Sequence, residues 1–166
     1  PYNGMNTSCI ASADYDLDGD IDLFIGNRST PMIYGLNPPQ YILQNNGKGF
    51  FKNVTSEVCP ELNNIGMVRA ATWADIDGDK KKELIMVGDW MSPKVYSFKN
   101  KKFTSIETGL ENLSGFWGAL QVADLDKDGD LDLVLGNIGE NFALKASVEN
   151  PLNPWVTDFD DNNQVD

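Results

Sequence analysis

Asp124-Leu-Asp-Lys-Asp-Gly-Asp-Leu-Asp132 is the stretch that decides the fold. Asp124, Asp126, Asp128 and Asp132 fall at positions 1, 3, 5 and 9 of one short loop, and Gly129 holds position 6. Carboxylates gathered this closely repel one another, and a bound cation is the simplest thing that collects them. They are hard oxygen ligands. Ca²⁺ takes roughly six to eight oxygens at flexible geometry, often with a backbone carbonyl at position 7, here that of Asp130. Gly at position 6 permits the left-handed turn that wraps a chain round an ion.

The pattern recurs. Asp14, Asp16, Asp18 and Asp22 repeat it, with Gly19 at position 6 and Asp20 at position 7. Asp75, Asp77, Asp79 and Glu83 repeat it with Lys80 and Lys81 at those two positions, and Asp158, Asp160, Asn162 and Asp166 with Asn163 and Gln164. One such loop is an ordinary acidic surface turn; four with the same internal spacing are not. The reading places three to four structural Ca²⁺ ions here. Lys enters the left-handed region less readily than Gly or Asn, so the second loop is the weakest match of the first three.

EF-hand loops open in the same way but need an acid at position 12 and helices on both sides. Position 12 here is apolar in each complete copy: Ile25, Met86 and Leu135. Each loop runs directly into a short apolar stretch, residues 21–25, 84–87 and 131–135, that meets Gly26, Gly88 or Gly136. Such runs read as buried strands closed by Gly. Further strands are expected over residues 7–13, 68–74 and 116–123, and hairpins over 41–55 and 94–106. Residues 141–147 suggest a third strand for the third repeat, and 155–158 the opening of another unit.

With its apolar run and Gly26-Asn27 or Gly136-Asn137 following, the loop resembles the FG-GAP/VCBS repeat of integrin α-chains and many secreted bacterial proteins. Landmarks such as Thr72-Trp-Ala-Asp75, Val87-Gly-Asp-Trp90 and Gly115-Phe-Trp-Gly118 are similar to bacterial propellers found with an ASPIC/UnbV segment, akin to cartilage acidic protein. The resemblance implies an all-β fold of β-propeller blades, each a four-stranded antiparallel sheet with a calcium loop. About three blades of a larger, seven-bladed propeller are expected. The repeats divide at about 1–62, 63–112 and 113–157, with a fourth starting at 158–166.

The chain holds 25 acidic against 13 basic residues, no His, and a net charge of −12. Nucleic acid is a poor partner for such a surface. Most of the acids belong to the proposed ligand sets, so the charge reflects metal loops rather than a disordered tail. Without His, a Ser-His-Asp or Cys-His system is excluded within this chain, and the paired carboxylates of a glycosidase are committed to metal. No enzymatic activity is expected of the chain itself. No stretch approaches the roughly 20 apolar residues of a membrane span. Cys9 and Cys59 are read as free thiols in preference to a disulfide. The ends, Pro1 and the loop residue Asp166, are those expected of a piece of a longer chain.

The leading reading is a calcium-binding module of a secreted, periplasmic or cell-surface protein, serving adhesion or recognition of a protein or carbohydrate. The alternative is the non-catalytic part of an extracellular polysaccharide lyase or hydrolase. Trp90 and Trp155, near turns, are candidate ligand-stacking residues. Trp73 and Trp117, in strands before calcium loops, are expected to pack between blades. About three blades leave strand edges and sheet faces uncovered, since propellers close with roughly four to eight. The 166-residue chain alone is therefore predicted to self-associate, or to be poorly stable, in light scattering and thermal melts; a monodisperse, high-melting monomer would contradict this.

Overall fold

The computed structural model describes residues 4–139, 143, 145–147, 149–162 and 165. Its regular structure is almost entirely antiparallel β. Strands β1 (Asn6–Ala13), β2 (Asp22–Ser29), β3 (Tyr41–Asn45) and β4 (Phe51–Asn53) form one sheet in chain order. A one-turn helix α1 (Thr55–Val58) and a 3-10 turn (Pro60–Asn63) lead into the second unit. There β5 (Met67–Ala74), β6 (Glu83–Met91), β7 (Lys94–Lys99) and β8 (Lys102–Ser105) repeat the plan. Strands β9 (Gly115–Ala123) and β10 (Asp132–Asn137) form a third hairpin. It joins the second unit where Asp89 faces Phe116 and Met91 faces Gly115.

Local chemistry accounts for the hairpins. The β7–β8 turn is Asn100-Lys101, with φ of 53° and 61°. Two positive φ values in a two-residue turn match the right-handed twist of the flanking strands. The longer β3–β4 turn uses Gly47 and Gly49 for its left-handed positions.

Apolar side chains from the first two sheets form one core. It contains Phe24, Ile42, Val68, Trp73, Leu84, Met86 and Phe103. Tyr15, from the first acidic loop, lies nearly parallel to Trp73 at 6.0 Å and edge-on to Phe98 at 4.8 Å. A smaller cluster joins Ala74, Ile85 and Val95 to Leu120, Val122 and Leu133 of the third hairpin. Leu62 and Cys59 seal the first core from the connection, and Tyr96 donates to Glu61 Oε2 at 2.9 Å. Both cysteines are free, Cys59 buried and Cys9 half-buried. Burial pushes both thiols up, that of Cys59 to about 11, which disfavours the thiolate form.

Gly26, Gly88 and Gly136 do not end their strands as the sequence suggested; the strands run on through them. A Cβ on Gly88 would sit 2.0 Å from the Met67 carbonyl oxygen, and one on Gly26 2.4 Å from Cys9 Sγ. These glycines permit close approach. Opposite each lies a register shift that leaves one extra residue: Ser8, Arg69 or Gly118. All three stand six residues before the first Asp of their loop, so the bulge belongs to the repeat.

The third unit differs from expectation. Residues 141, 142 and 144 of its anticipated third strand lie outside the described residues, and 143 and 145–147 carry no strand. Residues 155–158 open no strand either. Val156 packs instead on the first repeat, where a Cβ on Gly35 would lie 2.5 Å from its Cγ2. Trp73 is in the core as expected. Trp117 stays half-exposed and donates its indole N–H to the Leu113 carbonyl at 2.9 Å.

Gly88→Ala should lower stability by about 3 kcal/mol through overpacking, read as a lower urea midpoint. Gly109→Ala, at φ 80° with no atom within 4 Å, should cost only about 1–2 kcal/mol of backbone strain. Equal losses would contradict the close-approach account.

Candidate metal centres

Each acidic loop joins the first two strands of its unit: β1 to β2, β5 to β6, β9 to β10. The ladder runs right up to the loop, pairing Ala13 with Asp22, Ala74 with Glu83 and Ala123 with Asp132. Strand pairing therefore returns the position-9 acid to the residue just before position 1. An alanine at that point in all three repeats leaves the space open.

Within the loops the carboxylates organise the backbone. Asp14 accepts from the N–H of Asp18 and Gly19 at 3.1 and 3.0 Å. Asp75 accepts from Gly78 and Lys80, both at 2.9 Å, and Asp124 from Lys127 and Gly129 at 2.7 and 3.2 Å. The position-5 acids Asp18, Asp79 and Asp128 each accept from the residue two ahead, at 3.0, 2.8 and 2.9 Å. The position-9 acids Glu83 and Asp132 accept from the position-2 N–H of Ile76 and Leu125 at 3.1 and 2.9 Å.

Every complete loop has two left-handed residues, at positions 4 and 6. They are Leu17 and Gly19 (φ 61° and 95°), Gly78 and Lys80 (77° and 70°), and Lys127 and Gly129 (65° and 101°). The second loop is thus no outlier. Its glycine has moved to position 4, and Lys80 takes the conformation that glycine holds elsewhere. One glycine per loop relieves one of two strained positions.

Carboxylate oxygens of Asp14, Asp16 and Asp18 lie within 4.8 Å of one another; so do those of Asp75, Asp77 and Glu83, and those of Asp124, Asp126 and Asp132. In the second and third loops the position-9 acid joins the cluster, while Asp79 and Asp128 stand outside it. In the first, Asp22 is 0% exposed and its Oδ2 is sealed with no hydrogen-bond partner. Burial, with Asp16 and Asp18 nearby, pushes its carboxyl up to about 6 against the opposing pull of the Asn45 and Tyr15 N–H groups. Glu83 is also buried, which pushes its carboxyl up. A buried carboxylate oxygen without a donor, among other carboxylates, fits a hard cation. The chemistry of the donor set agrees: all oxygen, with no His or Cys. The carbonyls of Asp20, Lys81 and Asp130 stand at position 7 of these loops.

The fourth loop repeats the opening of the first. Asn162 N–H donates to Asp158 and Asp160 at 3.0 and 3.3 Å, as Asp18 N–H does to Asp14 and Asp16 at 3.1 and 3.3 Å. Asp161, at position 4, has φ 57°. Asn163, Gln164 and Asp166 lie outside the described residues.

Of the tryptophans singled out for ligand stacking, Trp90 is half-buried with its ring edge-on to Phe116 at 4.6 Å. Trp155 is 83% exposed. A charged cluster that spacing did not reveal lies at the opposite end of the strands from the acidic loops. Asp89 is buried there and accepts from Arg28 Nε at 2.8 Å, Arg69 Nη1 at 3.4 Å and the Tyr34 hydroxyl at 3.1 Å. Arg28 comes from the first sheet and Arg69 is the bulge residue of the second, so one carboxylate ties the two sheets together.

Comparison with known protein families matches the chain to the FG-GAP-like repeat, over residues 14–86 and 75–135. The matched segments begin at the first residue of the first two acidic loops and cover most of the chain. A search of curated proteins returns no match.

Since Lys80 holds a glycine's conformation, Lys80→Gly should raise stability in calcium-free buffer by about 1 kcal/mol, the left-handed penalty relieved. A lower urea midpoint for this variant would show that the strain is not there.

Proposed function

This chain belongs to the FG-GAP-like repeat family, and from that premise we propose that it is a calcium-binding β-propeller module of a secreted or cell-surface protein, used for adhesion or for recognition of a protein or carbohydrate. The clustered carboxylates of Asp14, Asp16 and Asp18, with the sealed Asp22 Oδ2 near Asp16 and Asp18, carry this reading.

Asp14, Asp16, Asp18 and Asp22, with the Asp20 carbonyl, would hold the first ion. Asp75, Asp77, Asp79 and Glu83 with the Lys81 carbonyl would hold the second, and Asp124, Asp126, Asp128 and Asp132 with that of Asp130 the third. Asp158 and Asp160 contribute to a fourth loop of the same design. The ion supplies the positive charge that lets these carboxylates remain ionised side by side. The residues themselves close a loop between two strands, and so fix the hairpin on which each blade is built. The role is structural, and the propeller face is left to bind a partner.

We take the two four-strand units and the third hairpin, which pairs with the second unit, as about three blades of a larger, seven-bladed ring. Apolar side chains on the outermost hairpins support further blades or a second copy beside them: Ile10 is 63% exposed and Val134 44%. Calcium loops of extracellular modules work at weak affinities, where calcium is abundant. Among the described residues no helix is long and apolar enough to cross a membrane.

Chelation tests the metal. A ligand at one hundred times its Kd adds about 2.7 kcal/mol per site, so removing calcium should lower the melting temperature by on the order of 10 °C or more. Asp14→Ala and Asp124→Ala should each remove one ion from the stoichiometry. An unchanged melting temperature in EDTA would contradict the structural role. A glycan and matrix-protein array probed with the calcium-loaded chain tests recognition; binding to none of them would contradict it.

A further inference from the structure

The three complete loops share a sequence pattern but not their surroundings. Around the second and third, every hydrogen bond to a loop carboxylate among the described residues comes from inside the loop itself. The first is also gripped from outside, by the end of β3 and the β3–β4 turn. Gln44 Nε2 donates to Asp16 Oδ2 at 2.7 Å. Asn45 N–H donates to Asp22 Oδ1 at 2.8 Å, and Asn45 Nδ2 to the Ile21 carbonyl at 3.1 Å. Gly47 lies so close that a Cβ there would stand 2.7 Å from Asp20 Oδ2.

The gripping turn is itself fixed. Asn45 Oδ1 accepts from the N–H of Asn46 and Gly47 at 2.8 and 3.2 Å, and Asn46 Oδ1 from those of Lys48 and Phe50 at 3.0 and 3.3 Å. The second sheet has no equivalent: the strand register sets Ser97 and Phe98 where Gln44 and Asn45 stand in the first. The third unit has no outer hairpin among the described residues. With Asp22 Oδ1 committed to Asn45, the buried Oδ2 is the oxygen left over.

We propose that Gln44, Asn45 and Gly47 are positioning residues of the first calcium site, so that this loop binds its ion more tightly than the other two and the bound ion locks the β3–β4 hairpin onto the loop. The inference rests on the calcium reading above and goes beyond it by ranking the sites and coupling one of them to the outer edge of its sheet. Holding Asp16 and Asp22 in place before the ion arrives removes an ordering cost that the other loops still meet on binding. Outer partners of this kind are worth roughly 10–100-fold in metal affinity.

The test is calcium titration calorimetry on the whole chain, with amide hydrogen exchange in EDTA and at stepwise calcium. The tightest site should vanish in Asp14→Ala and survive in Asp124→Ala. The amides of Asn46, Gly47, Lys48 and Phe50 should gain protection as that site fills, before those of the third loop do. Gln44→Ala should weaken the tightest site about 10–100-fold while leaving the affinities of the other sites unchanged, with a small fall in the EDTA melting temperature from the lost hydrogen bond to Asp16. Exchange in the unmodified chain needs no variant, so a misfolded Gln44→Ala would not spare the proposal. Simultaneous filling of all loops, or a tightest site lost in Asp124→Ala, would overturn the ranking and leave the calcium reading standing. A chain that binds no calcium would overturn both.

Discussion

Mutual repulsion among carboxylates is the constraint on which this structure turns. Each complete loop places acids at positions 1, 3, 5 and 9, and in each the nearest three bring oxygens within 4.8 Å of one another. The backbone answers part of this charge, with N–H groups from inside the loop turned onto positions 1, 3 and 5. It does not answer all of it. Asp22 keeps one oxygen buried without a donor, and a hard cation is a partner that such an atom could take.

The rest of the repeat brings these acids together. The β1–β2, β5–β6 and β9–β10 ladders close on alanines, which carry the position-9 acid back beside position 1. Two left-handed residues turn the chain within the loop. Further along each hairpin a bulge lies opposite a glycine, which in the first two units has no room for a side chain, and in the second unit the bulge aims Arg69 at Asp89. The two ends of the strands thus play different parts. One end gathers unbalanced negative charge, while the other ties neighbouring sheets through a single buried carboxylate held by two guanidinium groups.

Much of this was legible in the sequence. Acids at fixed spacing, Gly at position 6 and apolar runs on either side pointed to strand–loop–strand units, and eight strands fall into two four-stranded sheets. What escaped depends on contacts across the fold. Gly26 and Gly88 read as strand ends because spacing alone does not reveal a neighbouring Cys9 or the Met67 carbonyl. Lys80 read as a defect because the loop was assumed to have one left-handed position; a second, at position 4, makes Gly78 its substitute. The grip of Gln44 and Asn45 on the first loop spans more than twenty residues and leaves no pattern. Neither does the burial of Asp89, whose Arg and Tyr partners come from three separate segments. Trp117, placed between blades by analogy with Trp73, stays outside the core because the third hairpin has no further sheet over it among the described residues.

The most direct test of the central claim is an anomalous-scattering map from crystals grown in abundant calcium. The account predicts a peak in each of the first three loops. In the first, it should lie about 2.3–2.6 Å from Asp14, Asp16, Asp18, the Asp20 carbonyl and Asp22 Oδ2. Well-ordered loops of the same shape with no peak, and Asp22 Oδ2 still without a partner, would contradict it.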